Sequence, residues 1–146
     1  MKTILFNGIP NSGKSTLAYK LHLRLEHAGY STIYLDDEVI KRMDAPDVIA
    51  LVESLKADYF IVASVDPKIK ADLVIWCECP LEIAYKRDIQ KNFRDNSPNI
   101  PTIEDYISGW DRYTVPYPDL IVDTTKNINH NREAIWKAVL ELKTKS

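Results

Sequence analysis

The string Gly8-Ile9-Pro10-Asn11-Ser12-Gly13-Lys14-Ser15, followed by Thr16, constrains this chain more than any other feature. It lies between a short apolar run, Thr3 to Asn7, and a stretch in which Leu17, Leu21, Leu25 and Ala28 recur at helical spacing until Gly29 stops it. Strand, loop and helix in that order turn backbone N–H groups inward at a helix N-terminus, which makes a seat for phosphate oxygens. Gly8 and Gly13 let the backbone close on the phosphates, and Asn11, Ser12 and Thr16 complete the expected cradle. Lys14 neutralises the outer phosphates and the Ser15 hydroxyl ligates Mg2+. The chain has only 4 glycines, so a chance match in a glycine-rich turn is a poor explanation. ATP or GTP with Mg2+ is the expected occupant.

Further short apolar runs follow at Thr32–Leu35, Tyr59–Ala63, Leu73–Cys77 and Leu120–Val122. They are continuous rather than alternating, as in parallel strands covered by helices on both faces. The expected fold is α/β, three layers around a five-stranded parallel sheet, and a chain of 146 residues has the size of one domain spanning 1–146. A short helix is expected through Ile40 and Met43 until Pro46 breaks it, and Asp47 then caps one with Val48, Leu51, Val52 and Leu55 inside. Pro80-Leu81-Glu82 opens a helix through Ile83, Ala84 and Arg87, and the stretch from Asn92 to Pro101 reads as a mobile loop. Thr102 to Asp105 resembles a capping box ahead of Tyr106, and Ile135, Val139 and Leu142 stripe a last helix.

With 45% apolar and 27% charged residues and no apolar run of membrane length, the chain is expected to be soluble, cytoplasmic and without membrane partners. A net charge of -2 argues against a broad electrostatic grip on nucleic acid, so any phosphate site must be local. Cys77 and Cys79 would share a strand face as packed thiols, and neither they nor His22, His27 and His130 form a zinc-ligand spacing.

The loop does not decide between transfer to water and transfer to a bound hydroxyl. The Asp-x-x-Gly and Asn-Lys-x-Asp strings of switch GTPases are absent, which favours a kinase. A kinase needs a carboxylate near the γ-phosphate to orient or deprotonate its acceptor, and Asp36, at the end of the second strand, suits that role and a share in Mg2+ binding. Its neighbours Asp37 and Glu38 could equally cap the following helix, on which Lys41 and Arg42 could hold an acceptor phosphate.

Three strings together resemble the adenylylsulfate kinases: the loop Gly8 to Thr16, the segment Cys79 to Asp88 that reads Cys-Pro-Leu-Glu-Ile-Ala-Tyr-Lys-Arg-Asp, and Tyr113 to Thr124 with its Pro-x-Pro-Asp and Asp-Thr. The resemblance implies the nucleotide-monophosphate-kinase-like P-loop fold and 3′-phosphorylation of adenylyl sulfate or a similar nucleotide-like acceptor, and it leaves a homodimer open. It also implies a lid over about 88–101 that offers Arg87, Lys91 and Arg94 to the transferring phosphates, with Arg87 catalytic. Phe93, Trp110 and Tyr113 could stack on a base, and Ser108 to Asp111 is similar to an acceptor-contacting string of the family. Asp36-Asp37-Glu38 stands where the family has Asp-Gly-Asp, Asp66 replaces a serine near Lys68, and the segment between the second and third strands is shorter than in the family. These differences keep other acceptors open: another activated nucleotide, a sugar, or a hydroxymethylated base in DNA. A nucleotide-binding regulator without transfer activity is the remaining alternative.

Overall fold

A computed structural model describes residues 1–42, 45–65, 69–94, 102–110 and 117–144. The elements are β1 (Lys2–Asn7), α1 (Lys14–His27), β2 (Thr32–Asp36), α2 (Asp37–Arg42), α3 (Ala45–Ser54), β3 (Tyr59–Ser64), β4 (Leu73–Glu78), α4 (Leu81–Arg94), α5 (Ile103–Trp110), β5 (Leu120–Asp123) and α6 (Ile128–Thr144). All five strands are parallel, in the order β2-β3-β1-β4-β5. β1 is central, with Leu5 beside Val62 of β3 and Val74 of β4.

Successive strand residues point to opposite faces. Ile4 and Phe6 pack with Leu17, Leu21 and Leu25 of α1 and Ile135 and Val139 of α6. Leu5, Phe60 and Val62 instead meet Val48 and Val52 of α3. Helix, sheet, helix is therefore the layering. Burying a side chain the size of Phe6 or Leu5 contributes about 1.5–3 kcal/mol, so the central strand contributes strongly on both faces. A third cluster, Ile9, Ala84 and Tyr106 with Trp110 against it, joins the loop after β1 to α4 and α5.

Local chemistry explains the helix ends. Gly29, at φ +94, ends α1 by letting the Tyr30 N–H reach the Leu25 carbonyl at 3.0 Å, while Ala28 lies exposed past the helical face it was expected to join. The Thr102 hydroxyl accepts the Asp105 N–H at 3.2 Å, the cap that the sequence suggested for α5.

The structure corrects several expectations. Pro46 lies in the first turn of α3 rather than ahead of it, where its missing N–H costs no helical bond, and Asp47 lies inside that turn rather than capping the helix. Leu51 on α3 and Leu55 just beyond its end are exposed, whereas Val48 and Val52 face the sheet. The predicted loop from Asn92 begins as helix, since α4 runs on to Arg94. Cys77 is buried in β4, but the strand ends at Glu78 and leaves Cys79 half-buried beyond it, with both thiols free. Met43 and residues 95–101 lie outside the described residues. No described helix is long and apolar enough to cross a membrane.

Candidate active site

Four of the five strands end on a groove of about 820 Å3, with Lys14 and Ser15 following β1, Asp36 ending β2, Val65 following β3 and Thr124 following β5. A crevice outside the carboxyl ends of parallel strands is where open α/β sheets bind ligands.

Gly13 precedes α1 at φ +94, a conformation that disfavours any residue with a Cβ. Gly8 is glycine for lack of room: a Cβ there would lie 2.5 Å from the Ser12 Oγ and 2.9 Å from the Cys77 carbonyl oxygen. Ser12 is fully buried, its Oγ has no partner among the described residues, and its N–H donates to the Ile9 carbonyl at 3.2 Å. Gly8 and Ser12 thus shape the loop from below, while Asn11, Gly13, Lys14, Ser15 and Thr16 line the groove. Lys14 is only 7% exposed, and its Nζ donates to the Ile9 carbonyl at 3.2 Å.

The three carboxylates at the end of β2 have different partners in the structure. Asp36 Oδ1 accepts the Val39 N–H at 3.3 Å, a long capping bond at the start of α2. Asp37 accepts the Ser64 hydroxyl at 2.6 Å and the Val65 N–H at 2.9 Å, tying the ends of β2 and β3 together. Glu38 lies 3.9 Å from Lys91 of α4, an exposed pair that contributes little to stability. The side chains of Lys41, Arg42, Phe93 and Arg94, and residues Asp66, Lys68, Asp111 and Tyr113, lie outside the described residues.

On the opposite wall, the Arg87 Nη1 donates to the Asn11 carbonyl at 3.1 Å and to the Cys79 sulfur at 3.5 Å. Asn11, at φ 63, donates through Nδ2 to Asp88 at 2.9 Å, and the Tyr106 hydroxyl donates to the Pro10 carbonyl at 2.8 Å. Arg87, Asp88, Lys91 and Trp110 all line the groove. The histidines stay outside it, with His22 bonded to Thr32 at 2.6 Å and Glu26 at 3.1 Å.

Tyr34, Asp88 and Tyr106 carry contacts that motif reading did not assign. Tyr34 is two residues before Asp36, hence on the same strand face, and its phenol lies close enough to Ser15 and Asp36 to interact with both. Burial and then the Asp36 carboxylate raise the Tyr34 phenol above its ordinary value, so it stays protonated at neutral pH. The period-two spacing from Asp36 was the available signal for Tyr34. Asp88 and Tyr106 meet the loop only through the tertiary fold, across 77 and 96 residues of sequence.

The residues fit a Mg–nucleotide. Glycine cradle, lysine and helix N-terminus face one groove, with the Ser15 hydroxyl and the Asp36 carboxylate on it. No cluster of three or more His, Cys, Asp or Glu among the described residues could cage a metal by itself. An ion held mainly by phosphates and water needs only one or two protein ligands, a number that Ser15 and Asp36 could supply.

Residues 1–58 match a family model described as the chromatin associated protein KTI12. A 39-residue stretch is 51% identical to an adenylyl-sulfate kinase of Paraburkholderia xenovorans, covering 27% of this chain and 22% of that relative's length. The crystal structure of APE1195 superposes with a TM-score of 0.68 at 23% identity, over 96% of this chain and 95% of that one. The Mycobacterium tuberculosis APS kinase CysC, solved in complex with AMPPNP and APS, superposes at 0.63 with 20% identity, over 98% and 97%. The chain is similar to adenylyl-sulfate kinases and has their P-loop fold, as its sequence led us to expect.

Proposed function

We propose that the protein is an ATP- and Mg2+-dependent kinase that moves the γ-phosphoryl group to a hydroxyl of a small nucleotide-like acceptor, with adenylyl sulfate the first candidate. The observation that carries this reading is a single groove lined by the phosphate loop, Arg87 and the Asp36 carboxylate. The match to an adenylyl-sulfate kinase, and a similar fold solved with AMPPNP and APS, support that choice of acceptor.

In this reading Gly13, Asn11 and Thr16 hold the phosphates, and Lys14 and Arg87 meet the charge that grows on the transferred group. Bound Mg2+, held by Ser15 and Asp36, would neutralise phosphate oxygens. Asp36 turns the acceptor oxygen in line and takes its proton as the new P–O bond forms and the bond to the leaving diphosphate breaks. Lys91, on the groove in α4, borders the nucleotide where the resemblance implies a lid.

Asp37 favours a second acceptor reading. It stands where the family has glycine and is tied to β3, so the acceptor wall is built differently. A sugar, another activated nucleotide or a hydroxymethylated base would then replace adenylyl sulfate.

Purified protein, Mg2+ and γ-labelled ATP incubated with adenylyl sulfate, other nucleotides, sugars and hydroxymethyl-bearing DNA will test these readings. Label is expected on one acceptor and lost in Lys14→Ala and Asp36→Asn, with Asp36→Asn still binding ATP. Nucleotide binding without label on any hydroxyl would favour the regulatory reading and overturn the kinase.

A further inference from the structure

We propose that Asp88 and Tyr106 are positioning residues that latch the outer arm of the phosphate loop, Pro10 and Asn11, to helices α4 and α5. The inference rests on the reading of the loop as a nucleotide site and adds to it the parts that hold the loop in its binding shape.

The outer arm needs such support. Asn11 holds φ 63, a conformation uncommon outside glycine that asparagine adopts more readily than most residues, so contacts to its side chain and carbonyl help to keep it there. Pro10 has no N–H, and its carbonyl is neither in the sheet nor in α1. Contacts from α4 and α5 meet both needs. Asp88 accepts the Asn11 Nδ2 at 2.9 Å, Arg87 binds the Asn11 carbonyl at 3.1 Å, and the Tyr106 hydroxyl donates to the Pro10 carbonyl at 2.8 Å. Tyr106 is 6% exposed, and its ring lies 5.6 Å from that of Tyr85, so the hydroxyl is held in place by packing. Burial raises its phenol above the ordinary value and keeps it a donor at neutral pH.

The charge on Asp88 sharpens the argument. A carboxylate lining a phosphate groove opposes its ligand, so its place there needs another reason. The bond to Asn11 supplies one. An amide at the same position would accept that bond without the repulsion.

The test measures the dissociation constant of a fluorescent ATP analogue with Mg2+, alongside thermal melting of each variant. Tyr106→Phe keeps the ring and loses only the hydroxyl. Loss of one such bond is expected to weaken binding roughly threefold to tenfold, for Tyr106→Phe and for Asp88→Ala. Asp88→Asn is expected to recover the affinity lost in Asp88→Ala. In a double-mutant cycle, adding Asp88→Ala to Asn11→Ala should weaken binding less than Asp88→Ala does alone, a coupling that general loosening of the fold does not produce. Unchanged binding in Asp88→Ala and Tyr106→Phe, or losses that add fully with Asn11→Ala, would overturn the latch while leaving the nucleotide reading intact. A wild-type protein that binds neither ATP nor GTP analogues would overturn both.

Discussion

Gly8 and Gly13 occupy equivalent places in the motif, yet each is glycine for its own reason. Gly13 needs a positive φ, whereas Gly8 has no space for a methyl group. At Gly8 one obstruction is the Cys77 backbone carbonyl of β4, which cannot swing aside as a side chain can. Gly8→Ala is therefore expected to cost about 1–3 kcal/mol by overpacking and to weaken nucleotide binding with it. Gly109 makes the matching control, because a Cβ there meets nothing within 4 Å and the residue lies inside α5. Gly109→Ala should stabilise by roughly 0.5–1 kcal/mol through backbone entropy. Denaturant midpoints of the two variants check the pair, and equal effects would refute the steric account of Gly8. Burial bears on Lys14 at the same scale. It is nearly buried, so Lys14→Ala needs a melting curve beside its activity assay.

Among the elements, α3 shows how a helical stripe can be read with the right period and the wrong width. Val48, Leu51, Val52 and Leu55 share an apolar arc, but only Val48 and Val52 meet Leu5, Phe60 and Val62. Val48→Ala should cost about 2 kcal/mol, because two buried methyl groups are lost and a cavity is left. Leu51→Ala, at a position 50% exposed, should stay within about 0.5 kcal/mol. Chemical denaturation of both variants measures the difference, and a large loss at Leu51 would mean that something covers this face. In α4 the polar stretch from Asn92 suggested a loop, yet the helix continues to Arg94. It places Arg87, Asp88 and Lys91 on the groove, where a flexible segment would not hold them.

At the scale of the whole molecule, several acidic protons are held by burial from the central strands to α5. Burial pushes the Cys77 thiol from 9.0 up to about 12, against the opposing pull of Lys14. Burial also raises the phenols of Tyr34, Tyr59 and Tyr106 above their ordinary 10.0. Because the folded values lie above the unfolded ones, the folded state binds more protons in alkali. The stability these groups contribute is complete below the unfolded values and is lost as pH rises through the folded ones. Unfolding free energy should fall between about pH 9 and pH 11, with a shallower slope in Cys77→Ala. An unchanged slope in that variant would show that Cys77 is not shielded in the native state. The sequence by itself determined the order of elements, the parallel sheet and the phosphate loop, because continuous apolar runs, helical spacing and a glycine-bearing turn are local signals. Only the tertiary structure decided which carboxylate after β2 ties to β3, which caps α2, and how Asp88 and Tyr106 reach the loop. Those choices depend on side chains far apart in sequence meeting at the carboxyl edge of one sheet, and no local pattern encodes that meeting.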